Sequence, residues 1–176
     1  HYCKAGWRGR QPAIHMNGRS TSRRYTDGES TVQFTLYYRG RLKSNAGPAD
    51  KHALRQHFHQ QLKRLWTQSP LSGFTRMLLP ERLNDLGLAE EISVIKQLHG
   101  FEFAPLVCEK VSLVAELQIQ MLWPQAPGAI ISSGGDIDNR LKTLFDSLKM
   151  PSEATALPKG TVPQQGEKPF YCLLED

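Results

Sequence analysis

Cysteine is scarce in this chain: Cys3, Cys108 and Cys172 lie far apart and form no Cys-x-x-Cys pair. An odd number of widely spaced thiols gives neither a disulfide framework nor the usual zinc spacings, and it points to reduced thiols in a cytoplasm. Cys108 and Cys172 sit in apolar, strand-like stretches and suit small core positions. No apolar run comes near the roughly 18 residues of a membrane span, and the N-terminal stretch has no apolar segment of the signal-peptide kind. The chain also lacks a P-loop, a Gly-x-Gly-x-x-Gly, a Gly-x-Ser-x-Gly and any internal repeat, which removes the usual support for nucleotide hydrolysis and serine-hydrolase chemistry.

Acidic residues are few in the first part of the chain. Residues 1–66 hold 13 of the 22 Lys and Arg but only Asp27, Glu29 and Asp50, a net charge of +10, while the remainder carries −5. Such a basic half suits a polyanion such as nucleic acid, because Lys and Arg displace counterions from phosphates; the plainer alternative is a basic leader on a neutral domain. The 176 residues, 39% of them hydrophobic and 22% charged, fit one soluble domain able to bury a core without staples.

Residues 1–30 show no helical or alternating period and are rich in Gly, Ser, Arg and Thr, so a disordered basic arm is expected there. His15-Met16 reads as a cloning junction, which would make part of the arm foreign to the domain. The domain proper is expected over 31–176. Thr31 to Tyr38 alternates as a strand with Val32, Phe34, Leu36 and Tyr38 on one face. A basic loop, Arg39 to Pro48, follows. Asp50 is the expected N-cap of a helix over 51–67, in which Leu54, Phe58, Leu62 and Leu65 form the apolar stripe and Lys51, Arg55, Lys63 and Arg64 a basic face. Its histidines, His52, His57 and His59, lack the spacing of a helical zinc site and are expected on the polar face. Residues 68–79 read as loop and 81–99 as two short helical pieces broken near Gly87.

Phe101 to Val107 reads as a strand that Pro105 would confine to a sheet edge. Residues 113–122 alternate most clearly, with Leu117, Ile119 and Met121 on the inner face against Glu116, Gln118 and Gln120. After a loop, Leu141, Leu144, Phe145 and Leu148 predict a helix buried along that stripe and ending before Pro151. Residues 151–169 form a long Pro- and Gly-rich loop, of the kind that is functional or mobile. Phe170 to Leu174 is a strand, and Glu175-Asp176 follow it.

The chemistry gathers at Gly134-Gly135-Asp136-Ile137-Asp138-Asn139-Arg140-Leu141-Lys142. Asp136 and Asp138 flank one apolar residue, so in an extended segment both carboxylates point the same way and could share a hard cation. Magnesium takes one or two carboxylates together with waters and phosphate oxygens. The simple alternative is that these aspartates cap a helix. Lys142 stands one helical turn after Asp138, and the helix start favours an anion. Glu175 and Asp176, ending another strand, could complete a third carboxylate position for phosphodiester hydrolysis.

Asp136-x-Asp138-Asn139-x-x-Lys142-x-x-x-Asp146-x-Leu148, after an alternating strand and before a strand that ends in acidic residues, resembles the motif of the RusA-type Holliday junction resolvases. The resemblance implies a small mixed α/β domain of the α+β kind, a mixed sheet packed with helices, acting as a homodimer that cuts branched DNA with Mg²⁺. It implies Asp136, Asp138 and Asp176 as metal ligands and Lys142 as the catalytic lysine; Asp146 matches the motif as well, but its i,i+4 spacing from Lys142 gives it a structural role as a partner of that lysine. The chain departs from the family pattern in the long 151–169 connection and in having Glu175-Asp176 where an Asp-Asp pair is usual, so a further ligand could lie past Asp176.

The expected phosphate contacts are Arg39, Arg41 and Lys43 of the loop, Lys51, Arg55, Lys63 and Arg64 of the basic helix, and Arg140. The leading expectation is a cytoplasmic Mg²⁺-dependent endonuclease for branched DNA with no membrane partner. The alternative is a RusA-like DNA-binding module impaired in cleavage.

Overall fold

The strands expected at 31–38 and 113–122 each bury one face and need a neighbour to complete their ladders. In the computed structural model, which describes residues 13–22, 31–82, 87, 92–111, 113–122 and 137–175, both find the same neighbour. Strand β1 (Ala13–Ser22) lies between β2 (Thr31–Arg39) and β5 (Leu113–Leu122), antiparallel to both. The register sets Met16 opposite Leu36 on one side and Ile119 on the other. Met16 is fully buried, Leu36 nearly so, and Leu117, Ile119 and Met121 pack on the same core. This corrects the expected disordered arm over 1–30 in part: residues 13–22 are the middle strand of a sheet and Met16 belongs to the core, while 1–12 and 23–30 lie outside the described residues.

A second sheet has the order β3 (Lys96–Leu98), β4 (Phe101–Val107), β6 (Phe170–Leu174), antiparallel between the first pair and parallel between the second. β4 is therefore the middle strand, where an edge was expected. Pro105 is accommodated because β3 reaches only residues 101–103, so at Pro105 the ladder has a partner on one side alone, Cys172 of β6. Strand β3 also replaces the end of the helical pieces expected over 81–99. The expected loop at 68–79 contains a 3-10 segment, Leu71–Leu78.

Helix α1 (Pro48–Trp66) joins the two sheets. Its Leu54, Phe58 and Leu65 enter the main core as the aliphatic period requires. A second stripe, His52, Arg55, His59, Leu62 and Trp66, is buried as well. Both histidines reach the aromatic second sheet: His59 stacks on Phe170 with centroids 4.6 Å apart, and His52 lies 5.9 Å from Phe170 and 6.0 Å from Phe101. The expected polar-face location holds for His57 alone. Pro48 opens the helix with Gly47 as N-cap, and Asp50 stands in the first turn bonded to Lys43 rather than capping. Gln61 closes the outer edge of β2, accepting from the Tyr37 N–H and donating to its carbonyl, both at 2.8 Å.

The described residues thus form an α+β domain in which α1 is buried on two sides. Cys108 and Cys172 are buried in the core, as expected, and burial pushes the Cys172 thiol well above its usual range. No helix among the described residues is long and apolar enough to cross a membrane.

Candidate nucleic-acid and metal site

The motif helix, α2 (Ile137–Leu148), carries Asp138 in its first turn. Leu144 and Leu148 are fully buried, as the stripe requires. The buried face is rotated from the one expected, however. Thr143 and Ser147 are buried beside the leucines, whereas Leu141 is half-buried and Phe145 is 37% exposed. Two internal bonds make that polar burial tolerable: Thr143 Oγ1 donates to the Asn139 carbonyl at 3.0 Å and Ser147 Oγ to the Thr143 carbonyl at 2.6 Å. Small hydroxyls on this face let α2 sit close to α1 and to the 40–47 loop. The face left to solvent carries Ile137, Asp138, Lys142 and Phe145. Asp138 and Lys142 are both exposed and one turn apart, so their Cβ atoms stand about 6 Å from each other.

The start of α2 is fastened to the basic loop. Arg140 Nη1 donates to the Leu42 carbonyl at 2.7 Å, and the Ala46 N–H donates to Thr143 Oγ1 at 3.3 Å. Leu42 and Ala46 are buried. The loop residues on either side of Leu42, namely Arg41 and Lys43, are exposed, as is Arg39. These bonds set the backbone of the loop that follows Arg39 and carries Arg41 and Lys43 against the first half of α2, which bears Asp138 and Lys142. Arg140 itself spends one donor on this anchoring.

The expected basic face of α1 is divided by the fold. Arg64 is exposed. Lys63 donates to the Gly166 carbonyl at 3.0 Å and Lys43 to Asp50 at 2.7 Å. Lys51 is bonded to Asp146 at 2.7 Å, so Asp146 is structural as expected but has Lys51 for its partner, where Lys142 was anticipated. Arg55 is corrected outright. It is 3% exposed, and its guanidinium donates to the carbonyls of Asp146, Lys149 and Ala156 at 2.9, 3.2 and 3.1 Å, closing the C-terminal end of α2. It is not a surface phosphate contact. The signal that would have found it was its place three residues before Phe58 and seven before Leu62, on the buried arc of the helix.

Of the expected metal ligands, Asp138 is described, while Asp136 and Asp176 lie outside the described residues. Among the described residues there is no cluster of three His, Cys, Asp or Glu side chains. Glu175, the other acidic residue at the end of β6, is committed elsewhere. Its carboxylate pairs with Lys96 and accepts the Glu109 N–H at 3.1 Å, which lashes β6 to β3 and to the turn after β4. The Lys96 hydrogen bond, with help from the Glu109 N–H, holds the Glu175 carboxyl below its usual range. Leu174, its neighbour, bridges to Lys149 at the far end of α2. Asp138 is about 16 Å from that point along the helix, at 1.5 Å per residue. Glu175 is thus brought to Lys96 rather than to Asp138. Comparison with family models, with curated proteins and with solved structures returned no match to the chain.

Proposed function

We propose that the chain is a metal-dependent endonuclease for branched DNA of the RusA-like kind, acting in the cytoplasm as a homodimer. The observation that carries this reading is the fastening of the basic loop to the motif helix. Arg140 and Thr143 hold the loop of Arg39, Arg41 and Lys43 against the helix turns that present Asp138 and Lys142. A phosphodiester lying on the loop would have its strand led toward that carboxylate and ammonium. Recognition would depend on backbone charge and on the splayed shape of a junction more than on base edges.

Asp138 is an exposed oxygen donor at a helix start, which suits the hard cation Mg²⁺. Asp138 would hold the ion together with Asp136, and the bound ion would supply a charge to lower the barrier to phosphodiester hydrolysis; β6 ends about 16 Å away along α2, so Asp176 is not assigned to that ion. The roles left to the protein are distinct. Arg39 and Arg41 bind and orient the backbone, and the Lys142 ammonium neutralises charge growing on a phosphoryl oxygen. Buried Leu144 and Leu148 keep both side chains in fixed register.

The commitment of Glu175 to Lys96 favours a second reading, a RusA-like module that binds junctions without cutting them. One experiment separates the two. Labelled four-way junction and linear duplex are incubated with the protein in Mg²⁺ or EDTA, alongside Asp138→Asn. Junction cutting that requires metal and is lost in the variant supports the nuclease. Junction binding without cutting supports the module, and equal treatment of junction and duplex overturns both.

A further inference from the structure

Arg55 is 3% exposed, yet its guanidinium makes no ion pair among the described residues; its bonded partners are the three carbonyls of Asp146, Lys149 and Ala156. A guanidinium has five N–H donors, so one N–H on each of Nη1 and Nη2 lies outside these bonds. The nearest carboxylate, Asp146, is bonded to Lys51, and an anion set directly beside a buried cation lowers the cost of its burial. A cavity of about 300 Å³ opens against this group, between the first two turns of α1 and residues 146–156. Lys51, Arg55, Lys149 and Asp146 line it, so cations outnumber carboxylates among the lining side chains, with Lys51 and Asp146 bonded to each other. Ser152 and Thr155 add hydroxyls, of which Thr155 Oγ1 donates to Glu153 at 3.0 Å. Pro48 on the same wall opens α1, whose N-cap Gly47 supplies no side-chain acceptor to the first-turn N–H groups. The positive end of the helix therefore adds to the field in the cavity.

We propose that this cavity binds a phosphomonoester group, held by Arg55 with the ammonium groups of Lys51 and Lys149. The charge of such a group approaches −2 at neutral pH, so it gains more from a lining richer in cations than in carboxylates than a bridging diester, which carries a single charge. The volume takes a phosphate and little more than a sugar. The group could be the terminal phosphate of a nucleic-acid strand or that of a free phosphate ester. The site is separate from the Asp138 region, because Asp146 stands two turns further along α2, about 12 Å away. It does not rest on the nuclease reading.

The test is calorimetric titration of the full chain with inorganic phosphate, with a 5′-mononucleotide, and with a short oligonucleotide bearing either a 5′-phosphate or a 5′-hydroxyl. Saturable binding of phosphate and mononucleotide is expected. Ser152 is exposed on the rim, so Ser152→Glu leaves the fold intact while setting a carboxylate against the ligand; binding should weaken about tenfold or more. Lys51→Ala with Lys149→Ala should do the same, with a urea unfolding curve showing that the double variant is folded. If the 5′-phosphorylated oligonucleotide binds more tightly than both the mononucleotide and its 5′-hydroxyl form, the ligand is a strand end. If it matches the mononucleotide, the ligand is a free ester. The proposal is overturned if none of these phosphate-bearing probes binds saturably, or if they bind Ser152→Glu as tightly as the unaltered chain.

Discussion

Replacing Arg55 by methionine keeps the apolar stem of the side chain and deletes its guanidinium, which isolates the worth of three buried hydrogen bonds. Those bonds, to the carbonyls of Asp146, Lys149 and Ala156, join α1 to the end of the motif helix and to the loop beyond it. Hydrogen bonds from a charged donor contribute about 1.5–3 kcal/mol each. Two effects reduce the sum. The variant no longer buries a cation, and the freed carbonyls near the cavity regain water. Recovering roughly half leaves a loss of about 2–4 kcal/mol, or a fall in Tm of about 5–15 °C for a domain of this size. Urea unfolding should show a lower midpoint at an unchanged slope, since the surface exposed on unfolding hardly changes. The contrast is Arg64→Met, an exposed position that should stay within about 0.5 kcal/mol of the unaltered chain while weakening DNA binding if α1 touches phosphates. An Arg55→Met chain as stable as Arg64→Met would refute the clamp.

His52 and His59 are buried and neutral, and desolvation is the main cause that holds both pKa values below 6.5. The unfolded chain therefore takes up protons that the folded one refuses, and stability should fall as pH drops below about 6.5, by at most about 1.4 kcal/mol per pH unit for each histidine. Among the described residues neither ring nitrogen of His52 has a hydrogen-bond partner, so His52→Leu should be no less stable at pH 7.5 and should show a shallower acid limb in urea midpoints taken from pH 7.5 to 5. Leu144→Ala should cost about 2–5 kcal/mol, whereas Phe145→Ala, at a position 37% exposed, should cost clearly less; similar losses would contradict the rotated face of the motif helix. Glu175→Gln should cost about 1 kcal/mol or less, because the Lys96 pair is partly exposed, with side-chain accessibilities of 35% and 20%. It should also leave metal-dependent junction cutting intact, and loss of cutting in a folded variant would return Glu175 to the site.

The elements legible in the sequence are those whose pattern is local. Helix α1 and strands β2, β5 and β6 follow from apolar period and β-branched or aromatic content. β1 escapes such a reading because Ala13–Ser22 is largely polar and interrupted by Gly18. It is a strand because β2 and β5 pair with it along both edges, and only Met16 announces the core. The buried side of α1 was half visible for a related reason: counting aliphatic residues finds Leu54, Phe58 and Leu65 but passes over His52, Arg55 and His59, whose burial depends on an aromatic sheet and on carbonyls more than 90 residues distant. That oversight bears on the candidate site. An Arg on a basic helix is read as a hand for DNA, yet here it secures one end of α2, while Arg140 and Thr143 secure the other to the basic loop. Asp138 and Lys142 thus project from a helix held at both ends, and the precision of any chemistry they perform comes from residues that motif reading would have sent to the surface.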